Sequence, residues 1–130
     1  MRLGTHILID CKLCNVENNE RLEELVTKLV ERCELTELSR VRHEFSPQGY
    51  TVVALLSESH VSCHTWPEKS AACIDIFTCG PVLDVICVKN TIEECIGGTS
   101  NLKVEIRGGN GDELPPWPRR RWREKIYCRM

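Results

Sequence analysis

The chain has 130 residues, of which 42% are hydrophobic and 28% charged, and its formal net charge is −2. That leaves room for one domain with one core, in the composition range of ordinary soluble globular proteins. No apolar run approaches the ~20 residues that span a bilayer, and an opening stretch broken by Asp10 and Lys12 does not read as a secretory signal. A cytoplasmic location with no membrane partner is the expectation.

The charge is uneven. Residues 119–130 carry six basic side chains against Glu124 alone, whereas residues 1–118 carry 11 basic and 18 acidic ones. An acidic body suits a cationic small molecule or partner and speaks against nucleic acid. Nine cysteines, an odd number in a chain without an export signal, argue against a disulfide framework. Most fall at apolar phases, where cysteine acts as a small hydrophobe. Cys11 and Cys14 have the spacing of a redox or zinc half-site, but they lie on a predicted strand and no second pair follows. No metal is expected.

In chain order, residues 5–13 alternate, with Ile7, Ile9, Cys11 and Leu13 on one face and His6, Leu8, Asp10 and Lys12 on the other, which predicts a strand. Asn15 to Asn19 supplies turn and capping residues. From there to about Leu35, the apolar positions Leu22, Leu25, Val26, Leu29, Val30 and Cys33 recur at helical spacing. Leu38 to Phe45 reads as a second strand, Ser46-Pro47-Gln48-Gly49 as a turn, and Tyr50 to Leu56 as a third strand. That third strand is nearly all apolar and is expected to be central and buried on both faces.

A short strand over His60 to Thr65 and another over Ala71 to Thr78 follow, separated by a loop at Pro67 to Ser70. Pro81 suits a first helical position. Val82 to Ile96 is the second amphipathic helix, with Gly97-Gly98 as its C-cap. Leu102, Val104 and Ile106 alternate with Lys103, Glu105 and Arg107 in a last strand. The Pro-rich basic stretch 112–130 reads as an extended tail beyond a single domain at 1–111. The order β-α-β-β-β-β-α-β predicts an α+β two-layer sandwich, a mostly antiparallel sheet with two helices on one face. The other face is left uncovered, so dimerisation is plausible.

Between Ser57 and Gly80 the chain concentrates hydroxyls, two histidines, carboxylates, Trp66 and three cysteines. Buried polar groups cost free energy unless each finds a partner, so a cluster this dense marks a site. Glu58-Ser59-His60, then His64-Thr65-Trp66-Pro67-Glu68, then Asp75-Ile76-Phe77-Thr78-Cys79-Gly80 resemble the small prokaryotic S-adenosylmethionine decarboxylases, which use a self-made pyruvoyl group. Phe45-Ser46-Pro47-Gln48-Gly49 and the element order extend the resemblance over most of residues 4–107.

The resemblance implies a reaction that the residue types can support. Decarboxylating an amino acid needs an electron sink, which no side chain provides. An α-keto amide is one, because it forms a Schiff base with the substrate amine. By resemblance, the Ser59 hydroxyl attacks the Glu58 carbonyl to give an ester, and elimination then leaves a pyruvoyl group on a 59–130 α chain beside a 1–58 β chain.

His64 matches the processing base, as suits an imidazole. Thr51 holds the place of a processing serine, and Val52 follows it where the family has glycine. Cys79 matches the thiol that returns a proton to the substrate carbon. Phe45 and Trp66 match aromatics that would sandwich the adenine and attract the sulfonium cation, and Glu68 matches a carboxylate for the ribose hydroxyls. In the family these groups meet across a homodimer interface.

Taken singly, Trp66 reads as core, Cys79 as a structural cysteine and His60 as local structure beside the cleavage site. A zinc site of His60, Cys63 and His64 is disfavoured because neighbouring strand residues point to opposite faces, and Cys63 is expected in the core. His6, His43 and the other cysteines read as structural. The implied product is the aminopropyl donor for spermidine. Two other readings stand beside it: a pyruvoyl-dependent arginine or ornithine decarboxylase, and an unprocessed regulatory relative.

Overall fold

A computed structural model describes residues 3–80 and 82–108. The order of elements is β1 (Gly4–Lys12), α1 (Asn19–Arg32), β2 (Glu37–Glu44), β3 (Tyr50–Leu56), β4 (Ser59–Trp66), a one-turn 3-10 helix (Pro67–Lys69), β5 (Ala71–Thr78), α2 (Val85–Ile96) and β6 (Thr99–Arg107). The strands form one sheet in the order β2-β3-β4-β5-β1-β6, every described pairing antiparallel. The tail predicted over 112–130, Cys128 and Pro81 lie outside the described residues.

Both helices pack on one face of the sheet. Helix α1 begins where the Asn18 side chain accepts a hydrogen bond from the Glu20 N–H, at 2.9 Å. Its stripe of Leu22, Leu25, Val26, Leu29 and Val30 is buried, as the spacing predicts. That stripe joins Ile7, Ile9, Val52, Ala54, Val61, Cys63, Ile74, Ile76, Val88 and Ile92 in one continuous core. No helix among the described residues covers the other face of the sheet, here termed the open face. Its register rows are Val41–Val53–Ser62–Asp75–Leu8 and His43–Thr51–His64–Cys73–Asp10, read from β2 across to β1.

Two expectations need correction. β3 is not buried on both faces: Tyr50, Val52, Ala54 and Leu56 are buried, while Leu55 is 53% exposed on the open face. Its apolar run reflects one face in the core and one that no helix among the described residues covers. Helix α2 starts at Val85 rather than Val82, because the Asp84 carboxylate accepts from the Ile86 and Cys87 N–H groups at 3.0 and 3.2 Å. Asp84 is thus the N-cap, and Val82 and Leu83 pack against the core ahead of the helix.

Cys11 and Cys14 sit at and just past the end of β1. Burial pushes the Cys11 thiol up to about 12, and the Cys14 thiol donates to the Ser70 carbonyl at 3.3 Å. Among the described residues no group of three or more His, Cys, Asp or Glu is placed to hold a metal ion, and no helix is long and apolar enough to cross a membrane.

Candidate active site

β3 and β4 are joined by the two-residue turn Ser57–Glu58, with Leu56 paired to Ser59. Ser59 has φ of +146°, a conformation that side chains with a Cβ avoid and that folded structures hold mainly at functional positions. The Glu58–Ser59 bond is gripped from both sides. The Cys79 N–H donates to the Glu58 carbonyl at 2.9 Å, and the Ser57 N–H donates to the Thr36 carbonyl at 2.9 Å. The Thr36 N–H also donates to the Glu58 side chain at 3.1 Å, which holds that carboxyl below its usual range. The Cys79 thiol lies exposed just past the end of β5. Thr78, one residue earlier, pairs with Ser59 in the ladder.

A second group lies at the other end of β4. Thr51 and His64 are cross-strand partners on the open face, their hydroxyl and Nδ1 2.9 Å apart. Cys73 flanks His64 on the β5 side. One turn further, Phe45 and Trp66 are 49% and 40% exposed, which is unusual for large aromatics. The Phe45 N–H closes its turn onto the Gly49 carbonyl at 2.8 Å. The Gln48 amide donates to Glu68 Oε2 at 2.8 Å and ties that turn to the 3-10 helix.

Every residue singled out from the sequence therefore falls into one of two groups. Glu58, Ser59 and Cys79 form the first; Phe45, Thr51, His64, Trp66 and Glu68 form the second. The structure does not join them within one chain. Five residue steps along β4 take the chain from Ser59 to His64, ~17 Å at the usual rise of a strand.

One cluster escaped the sequence reading. Asp75 on β5 accepts from Ser62, lies 2.6 Å from His6 Nε2 and lies 3.4 Å from His60 Nε2. Burial pushes its carboxyl up, but the bonds from Ser62, His6 and His60 outweigh that and hold it below the usual range. His6 and His60 thus share the Asp75 carboxylate. The available signal was phase, since His6, His60, Ser62 and Asp75 all occupy the open-face positions of adjacent strands. His60, Ser62 and Asp75 line, with Val53, Leu55 and His64, a shallow groove of about 740 Å³.

A single-sheet α+β sandwich with its candidate site residues at a hairpin end and on the sheet face away from both helices is the class of protein these features define. A family model described as S-adenosylmethionine decarboxylase matches residues 5–107. An S-adenosylmethionine decarboxylase proenzyme of Methanococcus vannielii is 37% identical over 108 residues, 81% of this chain and 86% of that protein. One of Clostridium botulinum is 42% identical over 84 residues, 62% of this chain and 72% of its own length. The crystal structure of the adenosylmethionine decarboxylase from Aquifex aeolicus superposes with a TM-score of 0.75 at 32% identity, covering 88% of this chain and 98% of that one. The chain belongs to the S-adenosylmethionine decarboxylase family.

Proposed function

We propose that this chain cuts itself between Glu58 and Ser59 and then decarboxylates S-adenosylmethionine, yielding CO2 and the aminopropyl donor for polyamine synthesis. The observation that carries the reading is the Glu58–Ser59 hairpin: a strained serine whose preceding carbonyl already accepts the Cys79 N–H. The names of its relatives favour the nucleoside substrate over arginine or ornithine. The residues for self-cleavage are present, which speaks against an unprocessed regulatory relative.

In self-cleavage, the Ser59 hydroxyl attacks the Glu58 carbonyl carbon. The Cys79 N–H stays on the carbonyl oxygen as negative charge builds there, the role of an oxyanion-hole donor. His64, aligned by the Thr51 hydroxyl, takes up the Ser59 α-proton. Because His64 and Thr51 lie a strand's length from their own Ser59, a second copy brings them, and the working unit is a homodimer of α/β pairs. Val52 faces the helices and is fully buried, so its methyl groups fill the core instead of crowding the Thr51 hydroxyl.

The chain fits a pyruvoyl group at position 59, where cleavage would relieve the strained φ and an orphaned buried hydroxyl stands opposite. When present, that group supplies the electron sink for decarboxylation, which no side chain provides. Around it, the Cys79 thiol is placed to return a proton to the substrate carbon. The partner's Phe45 and Trp66 hold the adenine, and the partner's Glu68, oriented by Gln48, accepts the ribose hydroxyls.

Intact mass under denaturing, reducing conditions tests the reading. Two chains split between Glu58 and Ser59, with a pyruvoyl-blocked 59–130 chain that releases CO2 from S-adenosylmethionine, are expected. A single chain that persists on long incubation overturns the self-cleavage. Turnover of arginine or ornithine in its place overturns the substrate.

A further inference from the structure

Thr78 poses a problem that packing does not solve. It is 1% exposed, and among the described residues its hydroxyl is the buried side-chain oxygen that has no hydrogen-bond partner. Other buried hydroxyls are satisfied: Thr65 bonds the Tyr50 N–H at 3.0 Å, Thr91 donates to the Cys87 carbonyl at 2.7 Å, and Ser100 meets Cys11. A valine would fill the Thr78 volume without stranding a polar atom, so an unpaired hydroxyl kept there calls for a reason.

Its position supplies one. In the β4–β5 ladder Thr78 is the register partner of Ser59, and the Cys79 N–H bonds the Glu58 carbonyl in the next rung. The rung beside a hydrogen-bonded one brings its two Cα atoms to ~4.5 Å, the closest spacing of an antiparallel ladder. Thr78 also lines, with Glu58 and Gly80, a cavity of about 300 Å³ between the hairpin and the helix side of the sheet.

Cleavage consumes one water and releases one ammonia. It breaks the Glu58–Ser59 C–N bond, gives Glu58 a carboxylate and converts the Ser59 nitrogen-bearing carbon to a keto carbon. The local balance is one N–H donor lost and new oxygen acceptors gained. Before the cut, Thr78 has nothing to donate to; after it, an acceptor stands opposite.

We infer that Thr78 is a positioning residue whose hydroxyl is held in reserve for an oxygen that arises at position 59 only when the chain is cut. The inference rests on the self-cleavage reading. It makes the orphaned hydroxyl a burden on the precursor and a tether in the product, a trade of stability against function.

The test uses two backgrounds, the uncleavable Ser59→Ala chain and the self-cleaved enzyme, each with and without Thr78→Val. In the uncleavable chain T78V is expected to raise the melting temperature by about 2–5 °C, since it removes an unpaired buried hydroxyl. In the self-cleaved enzyme T78V is expected to lower it by a similar amount, while T78S keeps the parent value. A T78V chain that stays uncut while T78S cuts overturns the inference, because a hydroxyl that finds its partner only after the cut is not needed to make the cut. Shifts of the same sign in both backgrounds overturn it, because a purely structural hydroxyl cannot change sign with the state of residue 59. If the parent chain never cleaves, the self-cleavage reading fails first and takes this inference with it.

Discussion

If a second copy completes the site, two individually dead chains should restore one another. Ser59 and His64 are both on β4, five residues apart, which is ~17 Å along a continuous strand. A general base must come within about 3 Å of the proton it takes, directly or through one water. No rotamer of His64 closes such a gap, so the proposed self-cleavage needs this base to act on another chain's serine.

The experiment co-expresses Ser59→Ala and His64→Ala chains carrying distinguishable tags. Alone, S59A lacks the nucleophile, and H64A lacks the base, a loss of about 10²–10⁴-fold in the rate of cutting. In a mixed dimer, the S59A chain offers its intact His64 to the Ser59 of the H64A chain. With unbiased association into two-fold dimers, about half of the H64A chains fall in mixed pairs and become cleavable. Denaturing mass spectrometry reads that fraction, and the cut must appear only in the H64A chain. Mixed dimers isolated through both tags and still uncut would refute the reasoning, as would H64A cutting itself at the parent rate.

Glu23 on α1 accepts from Arg42 at 2.7 Å, from the Tyr50 hydroxyl at 2.6 Å and from Arg40 at 3.0 Å, with the Arg42 bond chiefly lowering its pKa from 4.5 to about 2. A depressed carboxyl stabilises the fold above its unfolded pKa, and that stability is lost as pH falls from about 4.5 toward about 2. The shift sets a ceiling of ~3 kcal/mol, and solvent access to the side chain reduces it to about 1–2. Glu23→Gln should therefore melt below the parent at pH 7, by a margin that narrows at pH 3; an unchanged margin counts against the clamp. Thr51→Ser should cut at the parent rate and Thr51→Val more slowly by mass spectrometry, whereas Val52→Gly should cost about 2–4 kcal/mol in urea unfolding and leave cutting no faster. Gln48→Ala should raise KM for S-adenosylmethionine about 3- to 10-fold with kcat unchanged, since it frees Glu68 to turn; a fall in kcat alone would remove Gln48 from substrate recognition.

Much of this architecture is legible in the chain because local patterns and tertiary packing agree. The α1 stripe, the Ala71–Thr78 alternation and the Gly97 C-cap each specify their element without help from distant residues. The failures come where the partner surface decides. Val53 and Leu55 are apolar on the face away from both helices, and period alone cannot separate that from burial under a helix. The start of α2 turns on a competition between Pro81 and Asp84, and the side-chain cap wins where it can reach two N–H groups. Asp75 escaped because its partners come from positions 6, 60 and 62, which only strand register brings together.

The same register accounts for why the site has two ends. An isologous dimer matches surface i to j and j to i, so a two-fold axis over the middle of β4 lays the Ser59 end of one copy against the His64–Trp66 end of the other, twice. The middle of β4 is Ser62, in the row that runs through Asp75 to the 37%-exposed Leu8. Both copies would therefore bring an Asp75 close to the axis, where two bare carboxylates would repel and pay for desolvation. Each Asp75 instead arrives bonded by Ser62, with His6 and His60 beside it. Around this polar centre lie Leu8, Val41, Leu55 and Trp66, exposed large hydrophobics on a face that no helix covers. An apolar rim around a hydrogen-bonded polar centre is the arrangement that a buried face needs, and the two groups of candidate site residues lie on either side of it.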